Sequence, residues 1–312
     1  MSGLGASNLG ASNLNLNLNL NLAAAAAAGV GGRARFNTSD YRKYLAAAGP
    51  LVLPTYASLR FPTDWDANLK TYPYLIEFVE KARGAWGGAT WLTTFLKTKT
   101  DTSPFHPPHK LLTNAIEQQV LSVLDSAADR DDRFAEIIDQ HDAEGAINYW
   151  LGMLSIDPAR HPKTYLLIRV AARIGETVVM GLKNEWLAPR PSQLCPGIVP
   201  MIDPPATPTY PAGHALQSRL ISKFLEAFDL GRPLATPTPQ QPRIPQGPLL
   251  LAKLADRVAE NRVIAGLHFP IDNDAGRMVA DEIMTLLWPS PTTADPTGML
   301  GTLVNDARKE PV

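Results

Sequence analysis

Three short segments in the second half of the chain together hold the side chains that a tetrahedral oxyanion requires. The first runs from Lys183 to Pro191 and places Arg190 seven residues after the lysine. The second is Pro211-Ala212-Gly213-His214. The third runs from Arg262 to Asp272, with His268 six residues after the arginine and four before the aspartate. Lysine supplies a point charge and arginine a planar fork, while main-chain N–H groups at a turn close the cradle. Two imidazoles can then divide the remaining work, one attacking and one moving a proton.

Each residue alone also has a plain structural use. Lys183 ends an apolar helical stretch, where a lysine complements the helix dipole. Arg190 followed by Pro191 reads as a surface arginine on a loop. His214 stands at a helix entry, and Asp272 is a carboxylate in a helix first turn, which the dipole favours. The combination says more. A helix that starts directly after Pro211-Ala212-Gly213 points its first N–H groups outward, where they bind anions. Asp272 can reach back to one nitrogen of His268, fixing its tautomer and leaving the other nitrogen as nucleophile or ligand.

Lys-x6-Arg-Pro, Pro-Ala-Gly-His and Arg-x5-His-x3-Asp in this order resemble the signature of the type 2 phosphatidic acid phosphatase and vanadium-dependent haloperoxidase superfamily. The resemblance covers residues 183–272. It implies an all-α helical bundle with the oxyanion site in the bundle core. It implies that Lys183, Arg190 and Arg262 hold the oxyanion, joined by the turn at Ala212 and the Gly213 N–H. His214 is implied as general acid and base. His268 is implied as the nucleophile toward phosphorus, or the ligand to vanadium if vanadate is bound, with Asp272 orienting it. In the phosphatase branch no cofactor is needed and the partner is a small phosphate ester. In the haloperoxidase branch the cofactor is vanadate and the partners are a halide and hydrogen peroxide.

The chain departs from the pattern at two positions. Ala212 stands where serine is usual, and Asn261 where a small polar residue is usual. Loss of the serine hydroxyl removes a hydrogen bond to a charged group, worth roughly 1.5–3 kcal/mol. Haloperoxidases resemble one another in an aromatic residue or histidine seven positions before the acid/base histidine. Here that position is Thr207, and no His or Phe lies between Pro191 and His214. The expected activity is therefore phosphomonoester hydrolysis through a phosphohistidine, with the vanadium haloperoxidase as the alternative.

The elements that must carry these residues are helical. Apolar residues recur at three-to-four spacing over Lys110–Ala128, Asp131–Leu154 and Pro162–Lys183, and further helices are expected over 215–228, 248–266 and 270–288. Pro270 suits a first helical turn. Residues 189–212 form a long proline-rich connection, a length that usually signals function. Residues 1–32 repeat Gly-Ala-Ser-Asn-Leu and Asn-Leu before a polyalanine run, with no charge before Arg33, and read as a disordered extension. Residues 33–108 form an aromatic-rich N-terminal part of the helical domain, 109–292 the catalytic bundle and 293–312 a C-terminal tail. The aromatics between Trp65 and Phe95 suit a core or a homodimer surface.

Composition bounds the rest. Lys and Arg number 29 against 30 Asp and Glu, so anion recognition is local and nucleic acid is not an expected partner. Cys195 is the single cysteine, which rules out an intrachain disulfide and a thiolate metal cluster. No metal site is expected apart from the vanadium case. No stretch reaches the about 18 apolar residues of a membrane span. No secretory signal is recognisable, so a cytoplasmic location is expected.

Overall fold

The computed structural model of the protein describes residues 66–102, 104, 106–230, 247–289 and 295–310. The extension expected over residues 1–32 lies outside the described residues, as does Trp65. The described residues form helices and turns with no strand. The principal helices are α1 (Tyr72–Ala85), α2 (Thr113–Ser126), α3 (Arg130–Asp139), α4 (Ala143–Met153), α5 (Pro162–Trp186), α6 (Gly213–Leu230), α7 (Gly247–Ile264), α8 (Pro270–Leu287) and α9 (Gly298–Ala307).

Helix α6 is the axis of the bundle, packed against α5, α7 and α8. Its Leu216, Leu220, Ile221 and Phe224 share one core with Ile174, Val178 and Leu182 of α5 and Val279 and Ile283 of α8. Burying each such side chain contributes about 1.5–3 kcal/mol. Proline opens α5 at Pro162, and Leu187 closes it in a left-handed conformation, φ 49°, with its N–H on the Lys183 carbonyl. Lys183 therefore lies in the last turn, with Leu182 and Trp186 holding that turn in the core.

Three expectations need correction. The stretch 131–154 is two helices rather than one. Asp142 accepts the Gly145 N–H at 2.7 Å and caps α4, a new helix separated from the end of α3 by three residues. The interval set apart as a tail contains α9, whose Leu300, Leu303 and Val304 are buried against the core. Along α2, Ile116, Val120 and Val123 face the bundle, whereas Leu121 and Leu124, and Leu112 just before the helix, are exposed. The apolar stripe there is wider than the contact it makes.

The aromatic stretch serves the chain's own core. Phe78 meets Trp91 edge-on at 5.7 Å, and Trp86 stacks on Phe95 at 5.0 Å. Phe78, Trp86 and Trp91 are buried, so they give no reason to expect a dimer surface. Among the described residues no helix is long and apolar enough to cross a membrane.

Helix α8 crosses the turn that starts α6 without room for a side chain. A β-carbon on Gly276 would stand 2.7 Å from the Ala212 carbonyl oxygen and 3.1 Å from the Leu216 nitrogen. Both are main-chain atoms, so the helices would have to separate. Helix propensity alone favours alanine by about 1 kcal/mol. Gly276→Ala is nevertheless expected to destabilise the protein by about 1–3 kcal/mol through overpacking. Urea denaturation of the two proteins checks this, and a stabilised variant would mean that the helices have slack here.

Candidate active site

The bundle gathers the chemically able residues from four helices and the connections between them. Helix α5 brings Lys183 in its last turn, and the connection that follows brings Arg190, which is buried although it lies on a loop. The α6 start brings Gly213 and His214. Helix α7 brings Arg262 in its last turn, the link to α8 brings His268, and the first turn of α8 brings Asp272. That link has a defined shape. Leu267 N donates to the Arg262 carbonyl at 3.0 Å and Gly266 N to that of Val263 at 2.8 Å. Gly266 takes φ 77°, a left-handed value that glycine adopts without penalty, and α7 ends in a Schellman turn. Pro270 then opens α8, and Asp272 Oδ2 accepts the Phe269 N–H at 2.8 Å. His268 is thus held between two fixed helix ends.

The histidine and aspartate do not stand alone. His268 Nδ1 is 3.2 Å from Asp272 Oδ2 and 3.0 Å from Thr209 Oγ1. Thr209 Oγ1 is itself 2.5 Å from Asp272 Oδ2. On the other side of the ring, Arg190 Nη1 lies 3.4 Å from His268 Nε2. Arg190 also donates to the Thr207 carbonyl through Nε, to the Leu267 carbonyl through Nη1 and to Thr207 Oγ1 through Nη2, at 2.9, 2.9 and 3.2 Å. Lys183 Nζ donates to the carbonyls of Pro208 and Thr209, the latter at 3.0 Å.

Arg262 and His214 are held from a different direction, by the end of α3. Arg262 Nη2 donates to the Ile137 carbonyl at 2.9 Å, and His214 Nε2 lies 3.0 Å from the Gln140 carbonyl. The last carbonyls of a helix lack partners inside it and carry the negative end of its dipole. The break between α3 and α4 therefore creates the acceptors that position these two residues. Asn261 locks α3 in place through Gln140 Oε1 at 2.8 Å and Glu136 Oε2 at 3.0 Å.

Arg262 is 1% exposed, yet its Nε and Nη1 find no acceptor among the described residues. None of Lys183, Arg190 and Arg262 has a carboxylate within salt-bridge distance among the described residues. Three basic side chains against the one carboxylate of Asp272 give this buried region a charge of about +2 when both imidazoles are neutral and Lys183 carries its proton.

The electrostatics follow. Burial, then the neighbouring Arg190, holds the Lys183 ammonium well below its ordinary value. Burial lowers Arg190 and Arg262 to about 10. It also keeps His268 neutral far below its usual range, reinforced by the charges of Arg190 and Lys183. His214 falls to about 3, through burial and then Arg262. Burial raises Asp272 to about 6, although the bonds from Thr209 and Phe269 oppose it.

Of the expected site residues, the structure brings Lys183, Arg190, His268 and Asp272 into one network, with Arg262 and His214 beside it. Gly213 opens α6, so its N–H has no partner within the helix. Ala212 is a correction. Its N–H donates to the Asp272 carbonyl at 2.9 Å, and its methyl packs against Ala215 and Ala259, so it offers nothing to an anion. Thr209 and Gln140 were not distinguishable beforehand, and Thr207 stood out only as a position without an aromatic ring. The two threonines lie in the loop whose length suggested function. Gln140 acts through its main chain, which no side-chain pattern reveals. Among the described residues no cluster of His, Cys, Asp and Glu could hold a metal ion. A scan against protein-family models gives no match for this chain, and a search of curated proteins gives none either.

The depressed His214 value has a consequence for stability. In the unfolded chain the imidazole titrates near 6.5 and in the folded protein near 3. Its contribution is therefore complete above about pH 6.5 and is lost as pH falls toward 3. Between those limits the loss is at most about 1.4 kcal/mol per pH unit. Asp272, with a raised value, works in the opposite sense below pH 6 but is common to both proteins compared. In phosphate-free buffer, His214→Gln should lose less stability than the parent protein between pH 6 and pH 4, as read from urea midpoints. Identical pH slopes would show that His214 is not held neutral.

Proposed function

We propose that the protein is a phosphomonoester hydrolase that works through a phosphohistidine at His268. The observation that carries this reading is Arg262, buried with two guanidinium donors that find no acceptor among the described residues, in a region whose charge is about +2 when Lys183 is protonated. Burying an uncompensated charge costs several kcal/mol, roughly, and is tolerated where an opposite charge binds. A phosphate monoester dianion has the matching charge and enough oxygens to use the orphaned donors. The three sequence segments and their resemblance to the phosphatidic acid phosphatase and haloperoxidase superfamily point the same way.

The reaction runs in two halves. His268 Nε2 attacks phosphorus, the P–O ester bond breaks, and His214 gives a proton to the leaving oxygen. Water then attacks the phosphohistidine, His214 takes a proton from it, and the P–N bond breaks to release phosphate. Asp272 supports the ring while it carries the phosphoryl group. The cations that keep His214 neutral are offset by a bound dianion, so substrate and proton enter together. Lys183, Arg190, Arg262 and the Gly213 N–H stabilise the charge on the transferring group.

Vanadate shares the shape and charge of phosphate, and the same residues would hold it, with His268 as ligand; it would then supply peroxide activation for halide oxidation. Thr207 contributes a hydroxyl and a carbonyl to Arg190 rather than an aromatic wall for a halide, which favours hydrolysis.

Phosphate should raise the melting temperature of the protein, and Arg262→Met should weaken phosphate binding on the order of 10²-fold, the loss of two charge-assisted bonds of about 1.5 kcal/mol each. Isothermal titration with phosphate and with vanadate measures this. Unchanged affinity would remove Arg262 from the anion site.

His268→Ala should abolish phosphomonoesterase activity, and rapid quenching of the parent protein under alkaline conditions should trap a phosphohistidine that the variant lacks. Bromide oxidation by peroxide after vanadate loading, without phosphatase activity, would transfer the assignment to the haloperoxidase branch. Neither activity, with no anion binding, would overturn both.

A further inference from the structure

The hydroxyl of Thr209 sits where the His268–Asp272 pair is made. It is fully buried, 3.0 Å from His268 Nδ1 and 2.5 Å from Asp272 Oδ2. The direct contact between histidine and aspartate is longer, at 3.2 Å. The carboxylate uses one oxygen for all of this, because Oδ2 also accepts the Phe269 N–H while Oδ1 has no partner among the described residues.

A hydroxyl has one proton, and the arrangement dictates where it goes. At 2.5 Å, a hydroxyl oxygen and a carboxylate oxygen repel unless a hydrogen lies between them. With Asp272 ionised, as it is above about pH 6, Thr209 must therefore donate to it. Its oxygen then meets His268 Nδ1 only as an acceptor. A bare Nδ1 would face two oxygen lone-pair groups, so Nδ1 must carry the ring proton. The proton is shared between Thr209 Oγ1 and Asp272 Oδ2. Nε2 is left with its lone pair, on the side where Arg190 Nη1 approaches to 3.4 Å.

The backbone makes this placement firm. Thr209 N donates to the Ala188 carbonyl at 3.0 Å, closing the loop between those residues. Its own carbonyl accepts from Lys183 Nζ at 3.0 Å. One residue thus touches both a cation of the anion site and the ring that would attack.

We propose that Thr209 is a positioning residue: its hydroxyl, donated to Asp272, obliges His268 to carry its proton on Nδ1 and to present a bare Nε2 to the anion site. The consequence for catalysis rests on the phosphohydrolase reading above, whereas the tautomer does not. Asp272 alone holds the ring through one long contact. The hydroxyl adds a second, shorter contact to the same nitrogen, at 3.0 Å.

The test begins without a variant or a substrate. Nitrogen-15 NMR of the folded, histidine-labelled protein at pH 7.5 should show His268 with a protonated Nδ1 and an unprotonated Nε2. A protonated Nε2 in the parent protein overturns the proposal. Thr209→Val keeps the β-branched shape and removes the hydroxyl. It should yield a mixture of tautomers and lower kcat about tenfold, the worth of one buried hydrogen bond, with KM nearly unchanged. Thr209→Ser should restore the single tautomer and most of kcat. If the valine variant keeps the parent tautomer and rate, Asp272 suffices and Thr209 has no such role, even if His268→Ala shows that the hydrolase reading holds. If the tautomer responds as described but no phosphoester is cleaved, the hydrolase reading fails and the assignment of Thr209 stands.

Discussion

Burying Lys183, Arg190 and Arg262 around a single carboxylate is the constraint to which the rest of the structure answers. Three cations removed from water need acceptors at once, or their desolvation would exceed the marginal stability of a domain, about 5–15 kcal/mol. The protein meets most of this need with main-chain carbonyls rather than acidic side chains. Thr207, Pro208 and Thr209 serve from the loop, Leu267 from the α7–α8 link and Ile137 from the end of α3. Carbonyls solvate a cation without neutralising it. A region built this way stays positive, as the proposed binding of an anion requires, whereas paired carboxylates would neutralise it.

This choice explains several features that otherwise look unrelated. The proline-rich connection after α5 must pass close to Lys183 and Arg190 with its carbonyls facing inward. The bond between Thr209 N and the Ala188 carbonyl fixes that path. The interruption between α3 and α4 frees helix-end carbonyls for Arg262 and His214, and the Asp142 cap keeps the interruption in place. The Schellman turn after α7 points the Leu267 carbonyl at Arg190 and delivers His268 two helix ends deep. Helix α6 joins these parts because α8 approaches its start closely enough to exclude a β-carbon at Gly276.

The same electrostatics assign the two histidines different surroundings. His268 has a carboxylate and a hydroxyl on Nδ1 and an arginine near Nε2. His214 has a backbone carbonyl on Nε2 and Arg262 as the charge that depresses it most after burial. An imidazole fixed by an anion on one side is suited to attack from the other. An imidazole held neutral by a neighbouring cation is suited to take a proton when negative charge arrives. Under the proposed reaction the division of labour follows from which helix end each ring touches.

The sequence alone carried the helical class, because apolar residues recur at helical spacing and core burial enforces that period. It also singled out Lys183, Arg190, Gly213, His214, Arg262, His268 and Asp272 as candidates, because their types and spacings are short-range properties of three segments; that they converge in the bundle was decided by the fold. The break at Gln140–Asp142 was hidden, since the apolar rhythm runs on across it and only the Asp142 bond to Gly145 interrupts the backbone. Helix α9 was hidden in a segment set apart as a tail. Ala212 was misjudged because the destination of a backbone N–H, here the Asp272 carbonyl, depends on how α8 meets the turn. Thr209 and the Gln140 carbonyl were decided by tertiary structure alone. They act on residues 59 and 74 positions away in the chain, and no local periodicity encodes which distant hydroxyl or carbonyl a fold will place against a buried ring.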